Sequence, residues 1–348
     1  MAFVKAGLEQ PFSDIGEKNT VPGFFQRLFR KSSKSPQSNL ADSSADQPTQ
    51  PSRSQLAETA VETTPAEMPP AEMPPLEKAE GDESLLPTRI EPPQLIVGIG
   101  HSAGRQRDHN EDSLFGLTST LVSDETYLPF GLFIVADGMG GHEHGEIASG
   151  IAVRAMASLV NDEVYSPLIS LSPTISTASL PEIMRKGFQA AHLAIIKQAP
   201  GGGTTLTGVL ILGDQMTIAH VGDSRAYTIH PEGRIQVLTR DHSLVKRLVE
   251  LGQITSAEAA VHPQRNVLYR ALGQGEPIDA EIITAPVPKS SYLLLCSDGL
   301  WGVVAEREVF ELVTSAPSPT QACQSLIAAA NAAGGPDNIT AILVRLPD

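Results

Sequence analysis

From residue 94 onward the chain alternates short apolar runs with glycine-, proline- or acid-rich breaks. "QLIVGIG", "YLPFGLFIVA", "TTLTGVLIL", "QMTIAHV", "RAYTI", "RIQVLT", "EIITA", "YLLLC" and "ITAILVRL" all read as strands. "VLILGDQMTIAHV" turns at Gly213-Asp214 and "YTIHPEGRIQVL" at Pro231-Glu232-Gly233, so these pairs are antiparallel hairpins. Helical patterns separate the strand blocks. "GEIASGIAVRAMASLV" predicts a helix with Ile147, Ile151 and Leu159 on one face, and "LPEIMRKGFQAAHLAIIKQA" a second. A third opens with Ser318 as N-cap, Pro319 at its first position and Gln321 at the capping-box position. Gly334, Gly335 and Pro336 stop it. Antiparallel blocks interrupted by helices predict an α+β layered domain rather than a doubly wound parallel sheet.

Composition changes near residue 93. "SSKSPQSNLADSSADQPTQPSRSQ" has little to bury, and "PAEMPPAEMPP" repeats a proline-bearing unit. Such a segment cannot offset the entropy of ordering, so residues 1–92 are expected to be largely a disordered tether preceding a domain at 93–348. Within it, near residues 22–34, Phe24, Phe25, Leu28 and Phe29 alternate with Arg27, Arg30, Lys31 and Lys34. That short basic amphipathic segment reads either as a membrane-surface or protein-docking peptide, or as a partly ordered tail.

A formal charge of −15 argues against general nucleic-acid binding. The two cysteines, Cys296 and Cys323, make no disulfide framework. No apolar run is long enough for a membrane span, and the start lacks a signal core. A cytoplasmic monomer is the expectation.

Four aspartates mark the joins between apolar strands and loops: Asp137 in "VADGMGG", Asp223 in "HVGDSRAY", Asp298 in "LLCSDGLW" and Asp337 in "GGPDNITAILV". Each alone is consistent with ordinary turn chemistry. If the four ends meet at one sheet edge, their carboxylates repel, and a hard divalent cation, Mg²⁺ or Mn²⁺, relieves the repulsion. "GRQRDHNEDS" adds Arg107, Glu111 and Asp112 ahead of another strand; the segment reads either as a solvated turn or as an Arg fork for phosphate.

Taken together, these motifs resemble the type 2C metal-dependent protein Ser/Thr phosphatases, especially the compact bacterial members. The resemblance rests on "RDHNEDS", "VADGMGGH", "GGTTLTG", "HVGDSRAY", "LTRDHSLV", "NVLYRALG", "LLCSDGLW" and "GGPDNITAILV", in family order over about residues 94–346. It implies an α-β-β-α sandwich of two antiparallel sheets flanked by helices, with a metal centre at one sheet edge. By the same resemblance, Asp137 bridges two metals and the Gly138 carbonyl is a further ligand. Asp298 and Asp337 bind the second metal, Glu111 lies near the first, and Asp223 matches a third, weaker site. Arg107 matches the substrate-phosphate ligand. The implied reaction is hydrolysis of phosphoserine and phosphothreonine by direct attack of a metal-bridging water or hydroxide, reversing Ser/Thr kinases.

Met139 stands where many eukaryotic relatives carry a histidine proposed as general acid, and nothing assigns that role to His142 or His144. "PGGGTTLTG" lacks the Lys-Ser/Thr ending of a P-loop and reads as structural. "SLVKRLVELGQITSAEAAVHPQRN" matches the family's variable flap. Leu244, Leu248 and Leu251 predict one helix there, and Thr255 with Glu258 the capping box of another. Arg265 at the flap's end is a candidate phosphopeptide contact or a structural support. A reading from another class is a catalytically weak phosphoprotein-binding or scaffolding module.

Overall fold

The computed structural model describes residues 92–348 apart from 124–125, 141–142, 172–177 and 276–277. The tether expected over 1–92 (save its last residue), the basic segment near 22–34 and His142 lie outside the described residues.

Two five-stranded antiparallel sheets form the centre. In one, β1 (Ile96–Ser102), β12 (Ile339–Arg345), β11 (Tyr292–Cys296), β8 (Arg225–His230) and β9 (Arg234–Val237) lie side by side in that order. In the other the order is β10 (Glu281–Pro286), β7 (Gln215–Val221), β6 (Leu206–Leu212), β3 (Thr126–Ala136) and β2 (Ser113–Ser123). Both predicted hairpins form. Leu212 faces Gln215 across a two-residue turn in which Gly213 takes φ 63, and His230 faces Arg234 with Gly233 at φ 107.

The central strands are continuous apolar runs because both of their faces are covered. Along β3, Phe133 and Val135 point into the layer between the sheets, meeting Ile342 and Val344 of β12 and Leu293 and Leu295 of β11. Leu132, Ile134 and Ala136 point the other way, onto helices. Phe133 is fully buried, so truncating it to Ala should cost about 3–5 kcal/mol.

Helices α1 (Glu143–Val160) and α3 (Leu180–Gln198) cover the outer face of the β3 sheet. A five-residue π-helical segment (Asn161–Tyr165) and a single turn, α2 (Ser166–Ile169), continue from α1. The stripe that α1 buries is Ala148, Ala152, Met156 and Val160, with Ile151 beside it. Ile147 is 46% exposed, a correction to the expected face. Small alanines face inward there, and the bulkier neighbour one position earlier turns to solvent.

The other sheet is covered by α8 (Pro319–Ala332) and by α7 (Glu306–Ser315), a helix the periodicity reading did not include, which buries Val309 and Val313. Ser318 caps α8 by accepting from the Gln321 N–H at 3.3 Å; its hydroxyl meets the Gln321 amide oxygen at 3.4 Å. In the flap, α4 (Leu244–Glu250) and α5 (Ser256–Ala260) form as expected, and Thr255 and Glu258 complete a capping box. Val245 is the buried residue of α4, whereas Leu251 caps the helix and is exposed.

Candidate metal centre and phosphate cleft

All four strand-end aspartates emerge at the same end of the two stacked sheets. Asp137 follows β3, Asp223 sits between β7 and β8, Asp298 follows β11 and Asp337 precedes β12. Within one sheet the end of β11 lies beside the start of β12, which brings Asp298 near Asp337, and in the other β3 and β7 run the same way; the stacking of the two sheets then brings the two pairs of ends together. A cleft of about 490 Å³ opens there, lined by Arg107, Glu111, Asp137, Gly138, Asp223, Asp298 and Asp337 together with Met139, Thr205 and Asn338. Arg265 does not line it, although its neighbour Asn266 does.

The backbone of Asp137 is held from both sides. Its N–H donates to Thr205 Oγ1 at 2.9 Å, and its carbonyl accepts from the Thr205 N–H at 2.9 Å and from Thr204 Oγ1 at 2.8 Å. Gly138 and Met139 form a two-residue strand, β4, paired with β5 (Gly203–Thr204). A Cβ on Gly138 would run into the backbone of Gly145 and Glu111, so only glycine fits where the chain turns from β3 toward α1. The glycine-rich run before Thr204 and Thr205 thus supports the Asp137 loop.

Asn338 ties the opposite wall. It accepts from the Glu111 N–H at 2.8 Å and donates to the carbonyls of His109 and Ala103 at 2.9 and 3.1 Å. Asp337 accepts from the Asn338 N–H at 2.9 Å through one oxygen and from Arg107 Nη2 at 2.7 Å through the other. Asp112 lies behind the wall, almost fully buried, with Ser297 Oγ and Thr340 Oγ1 donating to its Oδ2 at 2.8 and 2.6 Å. Thr205 and Asn338 are positioning residues that sequence reasoning passed over. Both sit inside quoted motifs, Asn338 directly after Asp337.

Acid crowding shows in the proton affinities. Burial, then the charges of Asp298 and Asp241, raise Asp223 to about 8. Asp298 rises to about 7 through burial and the charges of Asp337 and Asp112. Asp112 rises to about 6, again mainly by burial. Asp137 is held well above the ordinary carboxylate range by removal from water and by Asp112, Asp298 and Asp223. Asp298 Oδ1 and Asp112 Oδ1 are buried without a hydrogen-bond partner.

Among the described residues no three acid, imidazole or thiol side chains already converge as a closed ligand shell; Asp337 is paired with Arg107 instead. The donor chemistry nonetheless fits divalent cations. Several carboxylates and the Gly138 backbone line one cleft, two buried acid oxygens lack partners, and only positive charge would favour ionising all of them together. An all-oxygen set selects Mg²⁺ or Mn²⁺ over zinc.

Comparison with known proteins agrees with this geometry. A family profile described as "Protein phosphatase 2C" matches residues 98–339. The serine/threonine phosphatase stp of Listeria welshimeri is 35% identical over 248 residues, which covers 70% of this chain and 92% of that protein. Serine/threonine protein phosphatase PstP of Mycobacterium tuberculosis is 34% identical over 235 residues, 67% of this chain and 44% of the relative. The crystal structure of the M. tuberculosis phosphatase PstP/Ppp superposes with a TM-score of 0.59 at 32% identity, covering 73% of this chain and all of that one. The PstP catalytic domain in complex with two manganese ions gives 0.58 at 29% identity, covering 73% of this chain and 99% of that one.

Proposed function

The chain belongs to the protein phosphatase 2C family and is a metal-dependent protein serine/threonine phosphatase, and from that premise we propose how its own residues divide the work. Asp137, the Gly138 carbonyl, Asp298 and Asp337 would hold two Mg²⁺ or Mn²⁺ ions, with Glu111 beside the first and Asp223 serving a third, weaker one. When bound, the cations neutralise phosphate charge and make water acidic enough to attack phosphorus near neutral pH.

Arg107 orients the substrate. Its guanidinium is about half exposed at the cleft mouth and has five N–H donors, of which Nη2 meets Asp337. The same fork can take phosphate oxygens from the solvent side and hold the phosphoryl group in line with its leaving oxygen. Met139 on the cleft wall has no proton to give to the leaving Ser or Thr oxygen. Arg265 would contact the peptide outside the cleft.

The observation that carries this assignment is the convergence of four strand-end aspartates on one cleft, three of them with raised proton affinity. The test is hydrolysis of p-nitrophenyl phosphate and a phosphothreonine peptide with Mn²⁺, with and without EDTA, by the wild type and by Asp137→Asn and Asp298→Ala. Near-normal turnover by either variant would remove that residue from the ligand set.

Residues 93–348 are proposed as the catalytic domain and 1–92 as a tether that docks on a membrane surface or a partner protein. Removal of residues 1–92 should leave turnover of the small substrate nearly unchanged. Phosphoproteins and the Ser/Thr kinases that make them would be the counterparts, in the cytoplasm. Among the described residues no helix is long and apolar enough to cross a membrane.

A further inference from the structure

Trp301 is the chain's only tryptophan. It ends α6 (Asp298–Trp301), the single turn that begins at Asp298. Its indole Nε1 donates to the backbone carbonyl of Asp223 at 3.0 Å, across 78 residues of chain. One side chain therefore ties together two of the loops that present acids to the cleft.

The ring is itself held. The Arg225 guanidinium lies 3.6 Å from the centre of a Trp301 ring. Arg225 is fixed in turn by Asp241, through Nε at 2.9 Å and Nη2 at 2.6 Å, and by the Tyr227 hydroxyl at 3.1 Å from Nη1. A cation stacked on an indole face and gripped by a bidentate carboxylate leaves the ring little rotational freedom. The N–H direction is thereby set, and with it the position of the Asp223 carbonyl. The other side of Asp223 is pinned separately: the Gly222 N–H donates to His242 Nδ1 at 3.0 Å, and the His242 N–H donates to the Gly222 carbonyl at 2.7 Å.

We propose that Trp301 is a positioning residue of the metal centre, which sets the spacing of the Asp223 and Asp298 carboxylates through its hydrogen bond to the Asp223 carbonyl. This rests on the ligand assignment above and adds a residue that touches neither metal nor substrate. Crowded acids repel, so without a strut the two loops drift apart and the cations bind a looser site. The same geometry makes Trp301 a natural optical reporter of metal binding.

Trp301→Phe keeps an aromatic face for Arg225 and deletes the donor together with part of the ring's bulk. Mn²⁺ binding to wild type, Trp301→Phe, Asp298→Asn and Asp223→Asn is measured by calorimetry, with thermal melts in EDTA alongside. Losing one hydrogen bond should weaken Mn²⁺ binding by roughly fivefold to tenfold in Trp301→Phe. The melt in EDTA should stay close to wild type. Wild-type affinity in Trp301→Phe, with binding impaired in the two Asp variants, overturns the strut and leaves the ligand assignment standing. Wild-type affinity in both Asp variants overturns the ligand assignment and the strut with it. If Trp301→Phe does not fold, wild-type tryptophan emission is titrated with Mg²⁺ instead. A saturable change absent from Asp298→Asn supports the proposal, and constant emission overturns it.

Discussion

Arg107 Nη2 donates to Asp337 Oδ2 at 2.7 Å, pairing a cation at the cleft mouth with an acid 230 residues along the chain. Asp337 and two further acids raise the proton affinity of Arg107, so it stays charged at any working pH. In the proposed cycle this guanidinium also meets the substrate phosphate. Arg107→Ala should lower kcat/KM for a phosphothreonine peptide about tenfold to a hundredfold, the span expected for a charge-assisted contact. Arg107→Lys should recover only part, because a point charge cannot reproduce the planar fork. Steady-state kinetics of the three proteins decides it; an unchanged KM and kcat in Arg107→Ala would take phosphate binding away from this residue.

Asp298 is expected to work against the metal-free fold. Its proton affinity rises to about 7, which means that its charged form is disfavoured in the folded state. Asp298→Asn should therefore melt at a higher temperature than wild type in EDTA at pH 8. In Mn²⁺ the order should reverse, because the variant binds the stabilising ion less well. Melts in both conditions test the sign; a variant less stable than wild type in EDTA contradicts the repulsion argument.

The same physics sets a pH dependence. Asp223 and Asp298, at about 8 and 7, keep protons in the folded state that the unfolded chain releases near pH 4. The folded state binds more protons across that window, so stability falls as pH rises through it. EDTA-stripped protein should lose denaturant resistance between pH 6.5 and pH 8.5. Saturating Mn²⁺ should flatten the decline. A stability that is level or rising over this range without metal would refute the crowding.

His220 pulls the other way at lower pH. It is fully buried, takes part in hydrogen bonds with Thr207 Oγ1 and the Arg240 carbonyl, and stacks on His242 at 5.0 Å. Burial and then His242 depress it to about 3. Between pH 6.5 and 3 the unfolded chain takes up a proton that the folded site refuses, so this contribution is lost as pH falls. His220→Gln should be destabilised at pH 7. Its deficit relative to wild type should shrink by about 2 kcal/mol on going to pH 5, at roughly 1.4 kcal/mol per pH unit below 6.5. Urea midpoints of the two proteins at pH 7 and pH 5 measure it; a deficit independent of pH would show that His220 is not held neutral.

Much of this was legible in residues alone, for a definable reason. Apolar runs such as "LFIVA" and "YLLLC" must be buried on both faces, so their existence and their ends can be read from the sequence. An aspartate placed one or two residues past such a run has to stand at a strand's end, which is why Asp137 and Asp298 could be singled out. Turn glycines carried the hairpins, since the backbone angles at Gly213 and Gly233 admit few other residues. Periodicity was less informative along α1, where it put Ile147 inside. A pattern of apolar positions reports that one face is buried and leaves open how small alanines rotate the stripe.

The tertiary structure alone decided which groups touch. Nothing local joins Trp301 to Asp223, Asn338 to Glu111 or Thr205 to Asp137, because each bond closes a long loop and depends on strand register. The proton affinities belong to that level too, since burial and neighbouring charge shift them and neither is a property of the residue. The sequence by itself determined the fold class and which acids stand at strand ends. Packing decided that those acids crowd together, that Arg107 sits against Asp337, and that one indole braces two of their loops.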